Sequence, residues 1–277
     1  MTELQGLCID WLPPSLLVTL YDHGLEQTAI DLAAGLLSQE QGIARAWLQR
    51  RASRRPDYQL LHGDAVDSHW VTEAGLKYQV SFNRGLHTGF FLDMANARAW
   101  VRQRAKGRKV LNLFAHTCAF SVAALAGGAD EVINLDMNAK AMQQGRQNHR
   151  INNLDQSRVR FLGHDLFKSF GKLRRHGPYN LIIVDPPSYQ PGSFVAEKDY
   201  LRVVRRLPEL AAAGCELLLC LNSPHLDSAF LKDAVKSNAP DFVFQHRLEN
   251  PIGFVDVEPE KALKVLFFKG GELTTMS

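Results

Sequence analysis

The chain has 277 residues, of which 45% are apolar and 22% charged, an ordinary globular composition. This length predicts one large domain or two unequal ones. It excludes a disulfide-stapled miniprotein, a collagen-like rod and a disordered tail. The net charge is only +3, but residues 1–75 carry 5 basic and 10 acidic groups, whereas residues 76–109 carry 8 and 1. A local basic block can attract a phosphate backbone even when the net charge is small. A solvated helix face explains it equally well.

Cys8, Cys118, Cys215 and Cys220 form no CxxC pair and no zinc spacing, which predicts reduced thiols and a cytoplasmic location. The start, Met1-Thr2-Glu3-Leu4, lacks the basic and apolar regions of a signal peptide. The longest stretch without Asp, Glu, Lys or Arg, Val110 to Ala129, contains Asn112, His116, Thr117 and Ser121. It is too polar to span a membrane and reads as strand, turn and helix.

In chain order, residues 15–21 read as a strand, 24–38 as a helix with apolar positions at Leu25, Ala29, Leu32 and Leu36, and 42–48 as a second strand. A polar stretch from Arg50 to Asp57 follows. These residues, 1–72, form a small α/β unit expected to bind substrate. Residues 76–82 and 88–92 read as a hairpin turning at Asn83-Arg84-Gly85, and 94–105 as a helix. This segment, 73–107, leads into a third region, 108–277.

There, apolar runs at 110–114, 131–135, 158–162, 180–184 and 216–221 alternate with helical stretches near 119–126, 138–151, 165–174, 196–212 and 227–237. Strands apolar on both faces, alternating with helices, predict a doubly wound parallel α/β sheet. Two further runs, 241–247 and 262–269, have no helix between them. They predict one antiparallel strand at the end of the sheet, the outline of a class I methyltransferase (Rossmann-like) fold.

Ligands of such sheets bind beyond the carboxyl ends of the strands. The loop after the first strand, Phe114-Ala115-His116-Thr117-Cys118, has no glycine. A pyrophosphate would need close backbone approach; a cofactor without phosphates, such as S-adenosylmethionine, demands less. After the second strand, Asp136 and Met137 precede Asn138; Asp136 can accept ribose hydroxyls or cap the next helix, and Asn138 can take over the capping. After the third, Asp165 and Leu166 offer either a helix cap or an acceptor for an adenine amino group.

After the fourth comes Asp185-Pro186-Pro187-Ser188-Tyr189. The prolines stiffen this loop, which can aim a carboxylate and backbone carbonyls at an amine or ring nitrogen. Tyr189 can stack on a planar base. The ten histidines show no metal-hydrolase motif and there is no P-loop, so no metal is expected.

With these strings in view, the chain resembles the bacterial large-subunit (23S) ribosomal RNA base methyltransferases that use S-adenosylmethionine. The resemblance covers about residues 73–269. It rests on Glu73 to Tyr78, His87-Thr88-Gly89-Phe90-Phe91-Leu92-Asp93, Val110 to Phe114, Asp136, Gln147-Asn148 with Asn152, Asp165 and Asp185-Pro186-Pro187. The resemblance implies a seven-stranded sheet, Asp136 at the ribose, Asp165 at the adenine, and the loop after Phe114 around the methionine moiety. It also implies that Thr88, Phe90, Phe91 and Asp93 cap the cofactor pocket.

The chain departs from that pattern at Cys118 and Ala119, where glycines are usual, and at Ala95, where an arginine is common. Members that make 5-methylcytosine use a cysteine nucleophile near the end of the fifth strand. Asn222 stands at that place, with Cys220 two residues earlier; asparagine in this region is a feature of the guanine-modifying branch. The extra N-terminal RNA-binding domain of the pyrimidine type has no room here.

RNA, as 23S ribosomal RNA or the large subunit, is thus the expected partner. Capture would fall to Arg45, Arg50, Arg51, Arg54 and Arg55; to Arg98, Arg102, Arg104, Arg108 and Lys109; and to Lys172, Arg174 and Arg175, with Trp47 and Trp70 stacking on bases. A protein or small-molecule acceptor, or a non-catalytic binding module, are the rival expectations.

Overall fold

A computed structural model describes residues 5–51, 57–82, 85–190, 192–254 and 258–271. The chain divides into two compact units, residues 1–92 and 93–277, so the segment 73–107 is shared between them.

In the first unit, β1 (Leu7–Leu12), β2 (Ser15–Leu20), β3 (Arg45–Arg50) and β4 (Asp57–His62) form a sheet in that order. Helix α1 (Glu26–Gln39) makes the crossover between the parallel pair β2 and β3. It packs Ala29 and Ala33 on Leu16, Val18, Leu20 and Leu48. The expectation found the helix and the two central strands. It missed β1, whose Asp10 and Trp11 interrupt the apolar run, and β4, whose burial is only partial.

The expected hairpin is corrected. The strands that pair are β5 (Ser68–Glu73) and β6 (Leu76–Ser81), joined at Ala74-Gly75. Both turn residues have positive φ, +49° and +80°, the geometry that matches the twist of two antiparallel strands. Residues 88–92 form no strand, and Gly89, at φ +92°, interrupts any extended run there. Asn83 and Arg84, the expected turn, lie outside the described residues.

In the second unit, α2 (Ala95–Arg104) is followed by β7 (Lys109–Leu113), α3 (Ala119–Ala126), β8 (Glu131–Leu135), α4 (Ala139–Ile151) and β9 (Val159–Leu162). Then come α5 (Phe170–His176), β10 (Tyr179–Val184), the two-residue strands β11 (Tyr189–Gln190) and β12 (Phe194–Val195), and α6 (Ala196–Val204). The unit closes with β13 (Ala211–Leu221), α7 (Ser228–Asn238), β14 (Phe242–Leu248) and β15 (Lys264–Gly270). Seven strands form one sheet in the order β14-β15-β13-β10-β7-β8-β9.

Alternate residues serve opposite cores: Leu111, Ile182 and Val184 face α5, α6 and α7, while Val110, Leu181 and Ile183 face α2 and α3. This two-sided burial is why the strands read as continuous apolar runs. The antiparallel strand, β15, is not at the end of the sheet as expected; it lies between β13 and β14, antiparallel to both. Helix α6 stops at Val204, not 212, and β13 already begins at Ala211. The intervening Pro208 has no N–H to continue a helix. The helix expected at 165–174 breaks at Ser169 into a 3-10 turn (Leu166–Lys168) and α5.

A polar chain crosses this apolar interior. Asn112 of β7 donates to Asn134 of β8 (2.9 Å), Asn134 to Ser121 of α3 (2.9 Å), and Ser121 lies 2.9 Å from His149 Nε2 of α4. His149 Nδ1 is 2.7 Å from the Gly145 carbonyl. A carbonyl only accepts, so Nδ1 carries the proton and Nε2 accepts from the serine hydroxyl. Burial holds His149 neutral, its pKa lowered to about 4.

Unfolded, a histidine titrates near about 6.5. The stability due to neutral His149 is therefore complete above about pH 6.5 and is lost as the pH falls toward about 4. That window is worth about 3 kcal/mol. Urea unfolding should show the stability advantage of wild type over His149→Gln shrinking by about this amount between pH 7 and pH 4. An advantage that does not change with pH would contradict the neutral, buried assignment.

Candidate active site

The residues singled out in the second unit gather at the carboxyl ends of β7, β8, β9, β10 and β13. The loop after β7 takes left-handed conformations at three non-glycine positions, Phe114 (φ +59°), His116 (+47°) and Cys118 (+61°). Each costs about 1–2 kcal/mol for an L-residue, so neighbouring groups must hold the loop. Asp136 does so with both oxygens: Oδ2 accepts the His116 N–H (2.7 Å) and Oδ1 the Asn138 N–H (2.7 Å). The buried Asn148 side chain donates to the Thr117 carbonyl (2.9 Å).

Cys118, fully buried where glycine would be at ease, is accommodated by Gly145 of α4. A Cβ there would stand 2.6 Å from its Sγ. Phe114 packs edge-on against Phe194 at 5.0 Å, and Met137 is exposed.

Asn138 is indeed the α4 cap, accepting the Ala141 N–H (3.1 Å), which leaves Asp136 outside that role. Each carboxylate oxygen has a second lone-pair site, so Asp136 can still accept ribose hydroxyls. Asp165 caps the 3-10 turn through Oδ1, 2.8 Å from the Phe167 N–H. Its Oδ2 makes no hydrogen bond among the described residues, so the cap and an outside partner are compatible. Leu166 beside it is buried.

On the other side, Tyr200 of α6 places its hydroxyl 2.9 Å from the Cys220 carbonyl and 3.2 Å from that of Val184. It thereby pins the ends of β10 and β13, one residue before Asp185 and two before Asn222. Ser188 Oγ donates to the Asn222 carbonyl. Lys264, wholly buried at the start of β15, donates to the Ser223 (2.8 Å) and Glu260 (2.6 Å) carbonyls.

Tyr200, Ser188 and Lys264 were not anticipated. The one visible signal was Lys264, a charge opening an apolar strand. Burial and the nearby Asp93 carboxylate raise the Asp185 pKa to about 7, against the opposing Arg98 charge. Burial also raises Asp93. Pro186 is buried, while Pro187, Tyr189 and Asn222 are exposed. Cys220 is fully buried, and burial together with the Asp185 and Asp93 charges pushes its thiol well up. It is a core residue, not a thiolate nucleophile.

Thr88, Phe90 and Phe91 belong to the first unit. Thr88 Oγ1 donates to the Phe90 carbonyl (3.1 Å), Phe90 stacks on Tyr78 (4.5 Å), and Phe91 is exposed.

Several expected RNA contacts are corrected. Trp47 is buried and stacked on Phe82; Trp70 is exposed. Arg50 is bound to Glu26 and Asp57, and Arg51 to the Tyr21 hydroxyl. Arg45 lies 3.5 Å from Ser15 Oγ; Arg54 and Arg55 lie outside the described residues. Arg98 is buried. Arg104 and Arg108 pair with the buried Glu216, and Lys109 with Glu131. These last pairs sit toward the amino ends of the strands, away from the loops just described. Arg102 lies on the same helix as Arg98, partly exposed. Lys172, Arg174 and Arg175 remain partly or fully exposed on α5.

The family model of S-adenosylmethionine-dependent methyltransferases matches residues 1–269. Ribosomal RNA large subunit methyltransferase I of Aeromonas salmonicida is 36% identical over 132 residues, 47% of this chain and 33% of that protein. Ribosomal RNA large subunit methyltransferase K/L of Psychrobacter is 33% identical over 172 residues, 60% of this chain and 21% of that protein. The matched region therefore spans a third or less of these curated relatives.

Among solved structures, the methyltransferase SMU.776 in complex with SAH superposes with a TM-score of 0.88 at 28% identity, covering 95% of this chain and 71% of that one. The chain belongs to the S-adenosylmethionine-dependent methyltransferase family.

The Cys118–Gly145 fit has a measurable consequence. Gly145→Ala gains about 1 kcal/mol of helix propensity, but overpacking against Cys118 costs about 1–3 kcal/mol. In a Cys118→Gly background the clash with the thiol is gone. A urea double-mutant cycle should give a coupling of at least about 1 kcal/mol; additive single effects would show that the two residues do not constrain each other.

Proposed function

We propose that this member of the S-adenosylmethionine-dependent methyltransferase family methylates a nitrogen of a base in ribosomal RNA of the large subunit. The observation that carries the reading is Asp185-Pro186-Pro187. It is a stiff loop at the end of β10, tied through Ser188 to the Asn222 loop, with a carboxyl raised to about 7 near Asp93 and the buried Arg98. The names of the curated relatives support RNA as the acceptor. Among the described residues the four cysteines are free thiols, and no helix is long and apolar enough to cross a membrane.

S-adenosylmethionine supplies an electrophilic methyl group. The spare lone pairs of Asp136 fit a ribose diol, and Oδ2 of Asp165 fits an exocyclic amine. The strained loop from Phe114 to Cys118 would wrap the remaining, methionine end. Across from it, Asp185 and the Pro186 carbonyl orient the acceptor amine by accepting its hydrogen bonds. Tyr189, exposed on a two-residue strand, offers a face for a flipped base, and Asn222 offers an amide to its edge.

A nitrogen that took up this methyl group would have to shed a proton. Asp185 is poised near neutrality to hold it. Carbon methylation through a cysteine adduct has no support here, because Cys220 is buried and Asn222 occupies the exposed position.

The test uses labelled S-adenosylmethionine and large subunits from a strain lacking this gene. Asp185→Ala should lose about 10²-fold or more of the transfer while binding the cofactor as wild type does. Because the carboxylate is the working form, wild-type transfer should rise between about pH 6 and about pH 8, and Asp185→Asn should lack that rise. Full activity of Asp185→Ala would remove this residue from the chemistry. Label appearing only in protein would overturn RNA as acceptor.

A further inference from the structure

With the basic block at 98–109 largely consumed by internal pairs, a different cationic surface stands out. A furrow of about 410 Å³ runs between the segment after β9 and the end of α6. Phe167, Lys168 and Phe170 line one wall and Arg202, Arg205 and Arg206 the other. Two of the arginines hold their guanidinium groups over the rings: Arg202 is 4.0 Å from the Phe167 centroid and Arg206 is 5.1 Å from that of Phe170. A ring beneath a guanidinium restrains it by cation–π attraction without using up its N–H donors.

The charges are poorly neutralised. Asp199 holds Arg202 (2.7 Å) and Glu209 holds Arg206 (3.1 Å). Arg205 meets only the neutral Asn238 amide, and Lys168 makes no ion pair among the described residues. Arg206 Nε is buried with no hydrogen-bond partner, so only the outer nitrogens of that guanidinium are available to the furrow. On α5, next along the chain, Lys172 and Arg175 add two more cations, while Arg174 shares Glu209 with Arg206 (3.6 Å). The anion facing such a row must carry several negative charges at intervals and tolerate aromatic rings.

We propose that this furrow is a track for the phosphodiester backbone of RNA, holding the substrate while the target base reaches the Asp185 loop. The assignment rests on the RNA reading above. Guanidinium edges and Lys168 contact successive phosphates, and Phe167 and Phe170, already turned toward the furrow, support the arginine planes. The track continues directly from the site: Phe167 is the residue whose N–H is held by Asp165. An acidic protein would satisfy the charge alone, but it gains nothing from a narrow, ring-floored furrow.

The probe is a fluorescent single-stranded RNA 20-mer of mixed sequence, followed by anisotropy in about 50–200 mM KCl. The variant is Arg202→Gln/Arg205→Gln/Arg206→Gln. The charge control, on surfaces away from the furrow, is Arg158→Gln/Lys232→Gln/Lys236→Gln. Each phosphate contact contributes about 0.7 to the salt slope on a single strand. The furrow variant should therefore lose about 2 from the slope and weaken binding at least tenfold at low salt. The control should keep the wild-type slope, and replacement by three lysines should restore most of it.

Unchanged cofactor binding by calorimetry shows that the variant is folded. RNA binding unaltered in the furrow variant, an equal loss in the control, or equal competition by polyglutamate would each overturn the track. Labelled transfer separates the two readings. Wild type that methylates RNA with a furrow variant that binds RNA normally sinks the track alone. Wild type that binds RNA through the furrow but never methylates it sinks the RNA-methylation reading alone.

Discussion

The structure turns on a backbone constraint: the five residues from Phe114 to Cys118 must reverse the chain at the end of β7 without a glycine. Three of them sit in the left-handed region, at a combined cost of several kcal/mol, about 1–2 each. That conformation persists because neighbouring elements each supply a restraint. Asp136 at the end of β8 takes the His116 N–H. Asn148 on α4 takes the Thr117 carbonyl. Gly145, one turn earlier, leaves the volume that the Cys118 side chain fills. Beneath them, the Asn112–Asn134–Ser121–His149 chain fixes β7, β8, α3 and α4 relative to one another. Strain held by so many partners is a feature of ligand sites rather than of ordinary turns.

The loops after β10 and β13 are built differently. There the backbone is made stiff by two prolines and then tied down by side chains from behind. Tyr200 holds the ends of β10 and β13, Ser188 joins their two loops, and Lys264 gathers the Ser223 and Glu260 carbonyls. A buried lysine is costly unless its donors are used, and Lys264 uses one on the loop that follows Asn222, at Ser223, and one on the segment before β15, at Glu260. Asp185, at the end of β10, lies between the loop that the Asp136 carboxylate holds and the loops that Tyr200, Ser188 and Lys264 hold through backbone carbonyls. There Asp93 and burial keep its carboxyl near neutrality.

Much of this was legible in the residues. Apolar runs buried on both faces gave away the parallel strands, and acids at Asp136, Asp165 and Asp185 marked their carboxyl ends. The strand order was not legible. Nothing in the residues 241–270 says that the last strand inserts between its two predecessors. The hairpin was misplaced because Ala74-Gly75 looks less like a turn than Asn83-Arg84-Gly85, although Gly75 supplies the positive φ that the true turn uses. The basic block misled for a related reason: charge counts do not show partners, and Glu216 and Glu131 absorb Arg104, Arg108 and Lys109. The cations of the furrow come from segments more than 30 residues apart and converge only in three dimensions. The polar middles of β7 and β8, Asn112 and Asn134, were a missed hint, since a polar residue inside a buried strand needs a partner.

The account rests on the claim that the edge formed by β7, β8 and β9 is the cofactor site and that Asp136 is part of it. Calorimetric titration of S-adenosylhomocysteine into the purified chain tests this most directly, with Asp136→Ala beside the wild type. The account predicts one saturable site on the wild type with a Kd below about 100 μM, about −5.5 kcal/mol, and affinity at least tenfold weaker in the variant. No saturable heat up to millimolar ligand, or equal affinity in the two proteins, would contradict it.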